Sequence, residues 1–123
     1  MRDFRQLTVW ERSHQLVLAT YKFTAAFPKH ELYGLTSQMR RAAGSIPANI
    51  AEGCGRTANG DLHRFLAIAM GSASELRYFV ILARDLQFLS DDGYGFAQAQ
   101  VDEVQRMLSA LIRKVEAARK LQA

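Results

Sequence analysis

The 123-residue chain has one cysteine, Cys54, and only two prolines, Pro28 and Pro47. A lone thiol excludes an intrachain disulfide framework and fits a reducing compartment. The opening MRDFRQLTVW carries Asp3 and no apolar run behind its first charges, so it does not read as a secretion signal. No stretch is expected to reach the roughly 20 apolar residues that span a bilayer. These absences predict a cytoplasmic protein with no membrane partner. The sequence also lacks low-complexity tracts, long charge runs, a phosphate-binding glycine loop and a dinucleotide fingerprint. Nothing resembles a linker, so one domain over residues 1–123 is expected.

What the chain does have is helical periodicity. Hydrophobic residues make up 49% of it, enough to fill one core. Four apolar-periodic segments follow one another, and none alternates with period two for long. The first covers about residues 8–27, with Val9, Ser13, Leu16, Thr20, Phe23 and Phe27 on one face. Thr8 and Glu11 have capping-box spacing, and Pro28 should stop the helix. The second covers about residues 32–53, with Leu35, Met39, Ala42, Ile46 and Ile50 inward. Pro47 removes a backbone donor within it, which predicts a kink near Gly44 to Ile46. The small run Ala42, Ala43, Gly44, Ser45 should admit a close neighbour, and Gly53 and Gly55 should end the helix in left-handed geometry.

The third segment, about residues 59–89, keeps Leu62, Leu66, Ala69, Ala73, Leu76, Val80 and Ala83 at strict four-three spacing. A second stripe adds Phe65, Ile68, Phe79, Leu82, Leu86 and Leu89, so the apolar face is wider than one coiled-coil seam. Asn59 or Asp61 can cap its start. The fourth, about residues 90–120, places Val101, Val104, Leu108, Leu111, Val115 and Ala118 on one side. Ser90 is a good cap, Asp91 and Asp92 suit the positive helix end, and Arg113, Lys114, Arg119 and Lys120 suit the other. Short connections predict an all-α, antiparallel up-down four-helix bundle, with its second helix kinked at Pro47.

The second segment also carries a recognisable motif. It includes Phe27-Pro28, the run from Tyr33-Gly34-Leu35-Thr36-Ser37 through Arg40-Arg41-Ala42-Ala43, and Ser45-Ile46-Pro47-Ala48-Asn49-Ile50-Ala51-Glu52-Gly53. Together with Gly55-Arg56, Phe65-Leu66-Ala67-Ile68-Ala69, Gly71-Ser72 and Glu75-Leu76, this resembles the four-helix-bundle proteins encoded in intervening sequences of bacterial large-subunit ribosomal RNA genes. The resemblance runs from about Phe4 to Val115, departing at Gly93 and Gly95. It implies bundles that associate into rings, typically homopentamers. The related accessory proteins of diversity-generating retroelements are rings whose basic surface binds nucleic acid and a reverse transcriptase. The resemblance supplies no catalytic residue, metal or cofactor.

The formal net charge of +4 agrees with an affinity for polyanions. Arg40, Arg41, Arg56 and Arg64 are the candidate phosphate-binding residues, because guanidinium forks match phosphate oxygens. The competing reading is a solvated face with salt bridges to Glu52, Asp61 or Glu75. Arg41, Ser45, Asn49 and Glu52 form a polar ribbon along the second helix. Asn49 or Ser45 is expected to satisfy groups freed by Pro47 or polar groups on a neighbouring helix; the rival reading is a polar subunit contact or ligand notch. Glu11 and His14 have di-iron bundle spacing, but the pair occurs once, and His14 continues a core-edge stripe with Trp10, Val17 and Tyr21. The reading is therefore a non-enzymatic oligomer that binds RNA, DNA or a nucleic-acid enzyme. A protein-only assembly scaffold is the alternative.

Overall fold

The computed structural model describes residues 3–122, and residues 1, 2 and 123 of the expected domain lie outside it. Four helices account for the fold: α1 (Thr8–Thr24), α2 (Ser37–Cys54), α3 (Asn59–Asp85) and α4 (Asp91–Gln122). No strand occurs among the described residues. Cross-helix contacts fix the pairing. Arg40 reaches Thr24, Ser45 meets Ser72, Arg77 meets Asp102 and Gln105, and His63 meets Glu116. Along α3 and α4, and along α2 and α3 where Gly53 approaches Leu62 and Phe65, numbers rise on one helix as they fall on its neighbour, so these pairs run antiparallel.

The core follows the inward stripes. Every member of the first α3 stripe, from Leu62 to Ala83, is at most 2% exposed. Leu35, Met39, Ala42, Ile46 and Ile50 of the second segment are buried too, joined by Ala43, Pro47 and Cys54. On α1 the position expected for Phe23 belongs to Thr24, which is buried while Phe23 is half-buried. The hydroxyls of Thr20 and Thr24 donate to the carbonyls of Leu16 and Thr20, which removes the cost of burying them.

Several helix ends differ from expectation. α1 stops at Thr24, short of Pro28, and residues 25–27 leave it as a turn. The residue before α1 is Leu7, with no side-chain cap, so the Thr8–Glu11 capping box does not form; Thr8 is already helical. Ala58 occupies the equivalent place before α3, again without a side-chain cap, so neither Asn59 nor Asp61 caps it. Asp61 instead lies in the first turn, where the helix dipole favours a carboxylate. Ser90 does cap α4, its Oγ accepting from the Gly93 N–H at 3.0 Å.

The left-handed geometry expected of Gly53 and Gly55 is absent: no described glycine has positive φ, and Gly55 is right-handed at φ −78°. Gly53 serves proximity instead. A Cβ there would lie 3.0 Å from both Leu62 and Phe65, so the missing side chain lets α2 close on α3. Positive φ occurs at Gln87 (65°), beyond the end of α3. The Gln87 N–H donates to Arg84 O and the Phe88 N–H to Ala83 O, the paired bonds of a Schellman ending. This ending halts α3 at Asp85, before the expected Leu89.

α2 runs unbroken from Ser37 to Cys54 with Pro47 inside. Non-helical backbone lies earlier, in the wide turn Leu32–Thr36, at Gly34. There the Glu31 carboxylate accepts from the Leu35 N–H at 3.2 Å, and a Cβ on Gly34 would sit 2.6 Å from the same oxygen.

α3 is long and apolar enough, by length and composition, to cross a membrane, contrary to the sequence expectation. Its inward stripe packs on α2 and α4 as a core helix does, but only 33% of its most apolar window is buried. The remainder is half-buried or exposed.

Candidate functional site

The four candidate arginines fall into two groups, at opposite ends of α2. Arg40 is held locally. Its Nε donates to Thr24 Oγ1 at 2.9 Å, a terminal nitrogen lies 3.5 Å from the Tyr21 carbonyl, and the guanidinium covers the Tyr21 ring at 4.6 Å. It thereby ties the start of α2 to the end of α1. Arg41 is exposed and makes no ion pair among the described residues. It lines a groove of about 260 Å³ between α2 and α3, with Gln38, Ser45, Ser72, Glu75 and Phe79.

Arg56 and Arg64 converge at the other end, about 20 Å along α2 at 1.5 Å per residue. Their guanidiniums lie 5.1 and 4.6 Å from the centroid of the half-buried Phe65 ring. The close α2–α3 approach at Gly53 creates this corner. A guanidinium stacked on a ring still has its N–H edge available to an anion. Arg56 also donates to Glu52 at 3.0 Å, an exposed pair worth a few tenths of a kcal/mol. The salt bridge to Glu52 therefore forms for Arg56, while Arg64 has none among the described residues.

Other basic residues join the Arg56–Arg64 end. The pairing of α3 with α4 places His63 Nε2 2.9 Å from Glu116 Oε1, and Arg119 is the nearest side chain to Gly60. Arg113, Arg119 and Lys120 are exposed at this end, and Arg113 bonds only to Ser109 Oγ, at 3.1 Å. Read along the sequence, these cations complement the α4 dipole; only the α3–α4 register brings their end of α4 against the start of α3. Nearby, hydrogen bonds from Arg5 hold the Asp3 carboxyl below its ordinary pKa.

The polar ribbon resolves into an interhelical link. Ser45 Oγ lies 2.8 Å from Ser72 Oγ, and Asn49 Nδ2 donates to both Ser45 O and Ser45 Oγ. The carbonyl that Pro47 leaves without its helical donor is that of Ala43, four residues back, and Asn49 bonds to Ser45 instead. So Ser45 answers a neighbouring helix, Asn49 braces Ser45 from within α2, and Glu52 answers Arg56. A larger polar link joins α3 to α4, where Arg77 donates to Asp102, Gln98 and Gln105 and Gln105 donates to Ser74.

His14 stacks on Trp10 with ring centroids 5.3 Å apart, a core-edge placement. Among the described residues no group of three or more His, Cys, Asp or Glu side chains is arranged to hold a metal. Of the aromatics near helix ends, Trp10 packs on Phe4 and Tyr94 lies under Arg84, while Tyr33 and Phe96 are exposed.

Among curated proteins, none matches this chain. A solved structure from Bacteroides thetaiotaomicron VPI-5482, described as a protein of unknown function from the S23 ribosomal protein family, shares the fold with a TM-score of 0.77. It is 23% identical, and the match covers 85% of this chain and 98% of that one. The family model described as 23S rRNA-intervening sequence protein matches residues 5–110. With the match spanning most of the bundle and the fold shared with that solved relative, the chain belongs to the 23S rRNA-intervening sequence protein family.

Proposed function

We propose that this protein is a non-enzymatic helical bundle that assembles into a homo-oligomeric ring, a pentamer, and binds nucleic acid or a nucleic-acid enzyme such as a reverse transcriptase through its basic surface. It works in the cytoplasm, without metal or cofactor. The observation that carries this reading is the outward side of α3. Ile68 and Tyr78 are 42% and 57% exposed there, and Leu86, just past the end of α3, is 45% exposed. Large apolar side chains left exposed along a core helix suit an interaction surface. Arg64, one helical turn before Ile68, puts a cation on the same side.

The assembly half is supported by that uncovered face. The nucleic-acid half is supported by the +4 charge and by the guanidiniums around Phe65. A salt series of RNA and duplex-DNA binding tests it. Affinity should fall steeply with salt, because neutralising phosphates releases counterions. An intact oligomer that binds neither nucleic acid at low salt would instead support the protein-only scaffold, as would a specific protein partner retained through high salt and nuclease treatment.

A further inference from the structure

We propose that one end of the bundle, where the α2–α3 turn meets the last turns of α4, is the surface that grips a nucleic-acid phosphate backbone. Arg56, Arg64, Arg113, Arg119 and Lys120 supply its cations. The inference deepens the nucleic-acid half of the proposed function and rests on it.

The charge is distributed unevenly between the two ends. At this end Glu52 is engaged by Arg56, Glu116 by His63 and Asp3 by Arg5, which leaves Asp61 in the first turn of α3 and Glu11 in that of α1 as the carboxylates without a cation partner among the described residues. Arg64, Arg113, Arg119 and Lys120 are exposed and have no side-chain carboxylate partner among the described residues. At the opposite end the cations Lys22, Lys29, Arg41 and Arg84 share the surface with the acidic residues Glu31, Asp85, Asp91 and Asp92, which largely offset them, and Arg84 pairs with Asp85. Arg40 there is occupied by Thr24 and Tyr21. A polyanion therefore meets the stronger attractive field at the Arg56–Arg64 end.

The basic end is also built rather than loose. Val115 is 4% exposed and anchors the α4 turn from which these cations project. The His63–Glu116 contact and the approach of Arg119 to Gly60 fix that turn against the start of α3. Residues beyond 110 lie outside the family match, so family membership alone does not supply the α4 cations.

The test compares two charge-matched double variants of the full chain. Arg119→Glu with Lys120→Glu alters the proposed surface; Lys22→Glu with Lys29→Glu alters exposed cations at the far end. Anisotropy with a labelled RNA hairpin and a labelled DNA duplex is read across a salt series. The first pair should weaken binding at least about tenfold and lower the salt slope by about two. The second should change affinity by less than about threefold, because charges beyond the Debye length of about 8 Å are screened. Glutamate also opposes the α4 dipole, so Arg119→Gln with Lys120→Gln repeats the test with a gentler change, and thermal unfolding confirms that each variant folds.

Loss with RNA alone, DNA alone or both supports the inference and names the ligand. Equal loss from both double variants, or wild-type binding by both α4 variants, overturns it and leaves the proposed function standing. No binding by the wild-type protein at low salt overturns the nucleic-acid half of the proposed function and the inference with it.

Discussion

The inward and outward sides of α3 are both apolar, yet they have different fates. Inward, Leu62, Leu66, Ala69, Ala73, Leu76, Val80 and Ala83 are shielded by α2 and α4. Outward, Ile68 and Tyr78, with Leu86 just past the helix end, remain exposed, while Phe79 and Leu82 of the second stripe are half-buried against the core. Hydrophobic periodicity thus reports two quantities at once: what a chain covers for itself and what it leaves for another surface. The difference lies in geometry, since a helix with two antiparallel neighbours can bury only part of its circumference.

Substitutions can break or sharpen this comparison. The largest effect should come from Leu66→Ala on the inward side, which should destabilise folding by about 2–5 kcal/mol in denaturant titration. Gly53→Val should follow, at about 1–3 kcal/mol, because the added atoms enter the 3.0 Å approach to Leu62 and Phe65. Gln87→Gly should raise stability by about 0.5–1 kcal/mol, since glycine adopts the φ of 65° without a Cβ penalty. On folding of the isolated subunit, Ile68→Asp should have the smallest effect, within about 0.5 kcal/mol, while abolishing self-association. If Ile68→Asp unfolds the subunit as readily as Leu66→Ala, the outward side is core and the comparison fails.

Much of the bundle was legible from spacing. The inward stripes of α2 and α3 could be read residue by residue, because long four-three repeats leave one consistent face. Helix ends were less legible. The Schellman ending at Gln87 uses a residue with no marked preference for left-handed geometry, so nothing in its identity announces it. Gly53 misleads for the opposite reason: glycine signals both helix ends and close packing, and here it provides the packing.

The site divides in the same way. That Arg56 and Arg64 approach each other follows from an antiparallel turn, and both do meet Phe65. That Arg40 and Arg41 lie at the far end of α2 follows from helix length, which the list of arginines alone does not express. The contribution of Arg119 and Lys120 depends on the α3–α4 register, set by contacts such as His63 with Glu116 across 53 residues of sequence.

The most direct measurement is the molar mass in solution, by light scattering, of the wild-type chain beside Ile68→Asp. The account predicts that 13.8 kDa wild-type subunits assemble, with the mass of a pentamer, and that the variant runs as a folded monomer. A wild-type protein that stays at 13.8 kDa at every concentration would contradict it.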